Sequence, residues 1–179
     1  MIREIKVIKK LVVVCIGILL LYGSGCSRTS EQVTELKRFP LDSLDGIITR
    51  SGVVIDKEHS ADGKGSLRLT VPKPSVVRLF EIPDVEVENA RLMYNAKVRT
   101  EGVEGQVYLE MWCHFPGKGE FFSRNPHTAL TGTTDWTTIE TVFFLKKGEK
   151  PDYIKINLVI NGKGTVWIDD IRLIKGPLS

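Results

Sequence analysis

The chain is poor in cysteine, in long apolar runs and in the motifs that accompany catalysis. Its 179 residues hold three cysteines. Cys15 sits inside an apolar N-terminal segment and Cys26 directly follows it, which leaves Cys113 alone in the body of the chain. No disulfide is therefore expected within the folded part, and a domain of this size can build its core without one. The longest apolar run, residues 11–22, is shorter than the ~20 residues that cross a bilayer. No Gly-x-Ser-x-Gly elbow, phosphate-binding loop or His-Glu-x-x-His pair occurs. The three histidines, His59, His114 and His127, are dispersed. Excess charge is missing too. Of 25 basic and 22 acidic residues, four basic and one acidic fall in the first 25 positions, so the rest of the chain carries 21 of each. A chain without a clustered basic surface is not expected to bind nucleic acid.

What is present begins at the N-terminus. Arg3, Lys6, Lys9 and Lys10 precede the apolar run, which stops at Gly23-Ser24-Gly25-Cys26. A charged region, a short apolar region and small residues make a secretory signal. A cysteine placed directly after them resembles the lipobox of bacterial lipoproteins, although Gly23 stands where that pattern usually has leucine. The resemblance implies cleavage before Cys26 and lipidation of its thiol. The protein would then be exported and lipid-anchored to a bacterial cell-envelope membrane, at the outer membrane or cell surface. Plain secretion and a retained anchor are the alternatives. The expected organisation is a signal peptide over 1–25, a polar tether over 26–38 and one domain over 39–179.

That domain reads as all-β. Short β-branched and aromatic runs alternate with Gly, Asp, Asn and Pro, and strands are predicted near 46–55, 66–71, 76–82, 90–100, 106–115, 137–145, 153–161 and 165–174. About eight such strands with turn signals between them predict a jelly-roll β-sandwich of antiparallel strands. Residues 116–135 are expected to form its one long loop, and long loops are often functional.

The most informative strand is 106–115. Val107, Leu109, Met111, Cys113 and Phe115 alternate with Tyr108, Glu110, Trp112 and His114. Successive side chains point to opposite faces, so the apolar set belongs in the core and the second set on the outer face. Two aromatics, a carboxylate and an imidazole on an outer face suit a sugar. Pyranose C–H faces stack on aromatic rings, and hydroxyls bond to planar polar groups. The competing reading is a satellite core in which the 116–135 loop covers Tyr108 and Trp112. Alternation in the neighbouring strands is expected to add Asn95, Lys97, Phe144 and Asn157 to the same face, with Arg124 and Asn125 reaching it from the loop. Trp136 and Trp167 read as core or edge residues, and Cys113 as an inert core thiol. Glu110 with Glu120 as a glycosidase pair, or with His114 and His127 around a metal, are minor alternatives.

Three segments carry a family resemblance: residues 62–69, Asp135-Trp136-Thr137-Thr138 followed by Phe143-Phe144-Leu145, and residues 162–173 with Trp167-Ile168-Asp169-Asp170. In that order they resemble galactose-binding-like jelly rolls, the fold of many carbohydrate-binding modules. The resemblance implies a structural calcium held by Asp169, with Asp56, Glu58 or Asp62 as partners. Taken with the outer-face aromatics and the lipobox, the expected protein is a non-catalytic, lipid-anchored glycan-binding module, with Tyr108, Glu110, Trp112, His114, Asn95 and Arg124 as the ligand residues that alternation and the loop supply. The alternative is a structural lipoprotein whose outer face docks another envelope protein.

Overall fold

The computed structural model describes residues 32–178. Eight strands account for most of them: β1 (Thr34–Phe39), β2 (Val53–Asp56), β3 (Ser66–Val71), β4 (Ser75–Pro83), β5 (Ala90–Phe115), β6 (Gly119–Arg124), β7 (Leu130–Leu145) and β8 (Tyr153–Gly176). The one helical piece among the described residues is a 3-10 turn at Pro126–Thr128. All strand pairings are antiparallel, and the chain is the expected jelly roll.

The scaffold is a long ribbon of β5 and β8, paired from Arg91↔Gly176 to His114↔Tyr153. The ribbon bends at mid-length, where the register slips between Glu101 and Glu104. The buried set changes parity across that bend. Ala90, Leu92, Tyr94, Ala96, Val98 and Thr100 are buried before it, and Val107, Leu109, Met111, Cys113 and Phe115 after it. Each long strand thus serves both layers of the sandwich. The first half of β5 and the second half of β8 join β1, β2, β3 and β7. The other halves join β4 and β6. A single apolar cluster fills the space between the layers. Burial of this kind stabilises by roughly 25 cal/mol per Å² of apolar surface.

Two glycines permit the bend. A Cβ on Gly162 would lie 1.8 Å from Glu104 O, and one on Gly105 2.1 Å from Asn161 O. No other residue leaves room for the two backbones to approach this closely.

The sequence expectation needs three corrections. First, β1 lies inside the segment read as a tether. It pairs with β8 from Thr34↔Lys175 to Phe39↔Ile171, the Phe39 ring stacks on Phe80 at 3.9 Å, and Arg38 Nε donates to Asp170 Oδ1 at 2.7 Å. Its polar sequence belongs to an edge strand, where one face meets water. Second, the strand expected over 46–55 shrinks to β2, because a turn at Ser51 and Gly52 (φ +74°) interrupts it. Third, 116–135 is no free loop. It forms β6, the 3-10 turn and the start of β7. Ser123 on β6 is hydrogen-bonded to Thr141 on β7 at 2.9 Å, joining the edges of the two layers. The signal segment and Cys26 lie outside the described residues.

Candidate functional site

The outer face of the β4–β8–β5–β6 layer is a grid set by strand register. Val159 and Tyr108 stand beside Val76 in one row. Arg78, Asn157, Glu110 and Arg124 make the next, Glu81, Lys155, Trp112 and Phe122 the third, and Pro83, Tyr153, His114 and Glu120 the fourth. Tyr108, Glu110, Trp112 and His114 share one face, as alternation predicts. Segment 119–124 does not close over them. As β6 it extends the same sheet, so Phe122 and Arg124 join the face edge-on.

Glu110 organises the centre. Its Oε1 accepts from Trp112 Nε1 at 2.7 Å and from Asn157 Nδ2 at 3.3 Å. The indole donor is thereby spent within the protein, and Trp112 has its ring left for contact. Phe122, 48% exposed, lies beside it with ring centroids 5.0 Å apart. The Arg124 guanidinium sits over Phe122 at 5.3 Å, within the range of a cation–π contact. Asn157 is buried, and its Oδ1 has no partner. Beside Tyr108 the face opens into a cleft of ≈ 270 Å³ lined by Gln106, Tyr108, Arg124, Pro126 and Asn161.

The fourth row is internally satisfied. His114 Nδ1 lies 2.6 Å from Asp152 Oδ1, and its ring stacks on Tyr153 at 4.6 Å. Glu120 accepts from Lys155 and from the Tyr153 hydroxyl at 3.0 Å. The Lys155 hydrogen bond, then that of Tyr153, holds the Glu120 carboxyl below its ordinary range. A general acid needs the opposite shift, so Glu120 is unsuited to that role. Among the described residues no group of three or more His, Cys, Asp or Glu is placed to hold a metal.

Asn95 does not belong to this site. It lies before the bend of β5, in the other layer, paired with Glu140 and Arg172. There it lines a separate hollow with Lys97, Thr138 and Asp170. Lys97 and Phe144 stand in that layer as well. Alternation assigned them correctly to an outer face, but the sandwich has two. Asn157 is the expected neighbour that the fold does bring to Glu110. Lys155, Tyr153, Phe122 and Arg78 also belong to the grid.

The residues named for calcium hold a loop by other means. Asp56 Oδ1 accepts from the backbone N–H groups of Glu58 and His59 at 2.8 and 3.0 Å, and its Oδ2 accepts from Trp167 Nε1 at 2.8 Å. Burial pushes this carboxyl up, yet the bonds from Trp167 and the two backbone groups outweigh it and hold the carboxyl well below the usual range. Asp169 Oδ2 accepts from Ala61 N at 2.8 Å and its Oδ1 from Asp170 N at 2.7 Å; burial shifts this carboxyl upward. Glu58 is exposed, and Asp62 bonds within its own turn. Calcium takes six to eight oxygen ligands. These carboxylates face N–H donors instead, and the set does not fit the ion.

No family model matches the chain, and no curated protein matches it. Solved structures do. The xylan-binding domain of family 22 from Paenibacillus barcinonensis superposes with a TM-score of 0.60 at 15% identity, covering 83% of this chain and 99% of that one. The fold is the jelly roll of carbohydrate-binding modules. The family 22 module and catalytic module of a Clostridium thermocellum endo-1,4-beta-D-xylanase, complexed with xylohexaose, give 0.55 at 10% identity, over 78% of this chain and 28% of that one. A Stig cyclase from Fischerella sp. TAU gives 0.52 at 11% identity, over 83% and 90%. One architecture thus carries both sugar-binding modules and a cyclase, and only the side chains of a site separate such functions.

Proposed function

We propose that the protein is a non-catalytic glycan-binding module, lipid-anchored through Cys26 to a bacterial envelope membrane. The observation that carries the binding reading is the outer face built on Glu110. A carboxylate that uses up the Trp112 indole N–H leaves that ring as a stacking surface. Phe122 lies beside it, Arg124 and Asn157 stand in the adjoining row, and Tyr108 stands in the row beyond. A sugar needs this combination of apolar ring faces and planar polar groups. The fold neighbours that bind xylan or xylohexaose support the same reading. The absence of catalysis is supported by Glu110 and Glu120 being tied to different partners, with neither left as a free acid–base pair.

A glycan array probed with multivalently displayed protein tests it. Binding by the parent and its loss in Trp112→Ala, with both proteins folded, are the expected results. No binding by either would return Trp112 to a structural role and favour docking to an envelope protein. The anchor is tested separately: radiolabelled palmitate should be incorporated into the parent and not into Cys26→Ala.

A further inference from the structure

We propose that the cleft at the Tyr108 end of the glycan face takes a sugar bearing a carboxylate, a uronate residue of an acidic glycan. This rests on the glycan reading and narrows its ligand class. The cleft measures ≈ 270 Å³ and is lined by Gln106, Tyr108, Arg124, Pro126 and Asn161. Tyr108 supplies a ring, Gln106 and Asn161 supply amides for hydroxyls, and Arg124 is the one charged residue.

The disposition of Arg124 is what points to an anion. Its register partner is Glu110, the pairing that would ordinarily neutralise both. Glu110 instead turns its Oε1 to Trp112 and Asn157, while the guanidinium lies over the Phe122 ring. Among the described residues no carboxylate lies within ion-pair distance of Arg124. Lys155, on the same face, is by contrast committed to Glu120. A cation–π contact with an aromatic face uses no N–H group of the guanidinium as a hydrogen-bond donor to a carboxylate. A guanidinium matches a carboxylate with two parallel hydrogen bonds. The amides can serve any sugar, but a guanidinium with no ion-pair partner beside a sugar-sized cleft favours one with a negative charge.

The test uses the full-length protein in detergent micelles. Oligosaccharides of glucuronate, galacturonate and mannuronate are each compared with the same oligosaccharide after reduction of its carboxylates to primary alcohols. Isothermal titration at low salt should show at least one acidic form binding about tenfold more tightly than its reduced counterpart. That ratio should shrink as ionic strength rises. Arg124→Gln should bring it to about one, and Arg124→Lys, which keeps the charge but loses the fork, should leave an intermediate value. Equal affinity of the parent for acidic and reduced forms would overturn the inference and leave the glycan face standing. A preference that survives Arg124→Gln would overturn it too, because the carboxylate would be read elsewhere. Failure to bind any glycan, neutral or acidic, would remove both.

Discussion

The Trp112 indole N–H donates to Glu110 Oε1 at 2.7 Å, between two residues of one strand on one face. Glu110 is thereby a positioning residue for the ring beside it. Trp112→Ala should weaken glycan binding about tenfold or more, since losing a stacking aromatic removes the centre of the contact. Glu110→Gln retains an oxygen able to accept from the indole and should cost less. Titration against whichever glycan the array identifies measures both. Undiminished binding by Trp112→Ala would sink the platform reading.

A second relationship concerns stability. Asp56 is held ionised by Trp167, Glu58 and His59, with its folded pKa depressed below the ordinary 3.8. A depressed carboxyl contributes stability that is present in full above the unfolded pKa and is lost as pH falls through the folded one. The parent should therefore lose stability below about pH 4. Asp56→Asn should be less stable at pH 7 by about 2 kcal/mol, with a flatter dependence at acid pH. Chemical denaturation between pH 2 and 7 reads both quantities.

Gly162 tests the bend. Its Cβ position is 1.8 Å from the Glu104 carbonyl oxygen, a backbone atom that no side-chain rotation can move aside. Gly162→Ala should cost more than about 3 kcal/mol, or prevent folding, because neither strand can yield without breaking the ribbon. Urea unfolding of the variant beside the parent measures it.

The domain edge is open to truncation. A chain beginning at residue 32 keeps β1 and should melt like the parent. A chain beginning at residue 40 loses the pairing with β8, the Phe39–Phe80 stack and the Arg38–Asp170 bond. Its melting temperature should fall by several degrees, on the order of 2–4 °C for each kcal/mol lost in a domain of about 150 residues. Equal melting of the two chains would restore the tether reading of 34–38.

Divalent ions give a further check. With Asp56 and Asp169 already accepting from N–H groups, added calcium should not raise the melting temperature and a chelator should not lower it. A rise with calcium concentration would reveal a bound ion through linkage.

Much of this was legible in alternation. The outward set Tyr108, Glu110, Trp112 and His114 and the inward set from Val107 to Phe115 follow from the two-residue period of a strand. The structure places both as that period requires. Three features escaped local reading. β1 carries a polar sequence typical of a tether because an edge strand needs little apolar content of its own. Residues 119–124 looked like loop because Pro116, Gly117 and Lys118 mark the turn of a hairpin whose second strand is short. Calcium at Asp169 was implied by the family resemblance, which matches residue positions and not the donors that face each carboxylate.

By itself the sequence determined the all-β class and the inward and outward parity within 90–100, 106–115, 137–145 and 153–161, because side-chain alternation is a local property of the backbone. Only the tertiary structure decided which outward residues share a face. Asn95 and Trp112 both point outward from β5, yet the bend at 101–106 carries them into different layers. That bend depends on Gly105 and Gly162 meeting across two strands far apart in the chain. A contact of that kind has no counterpart in the periodicity of either strand alone.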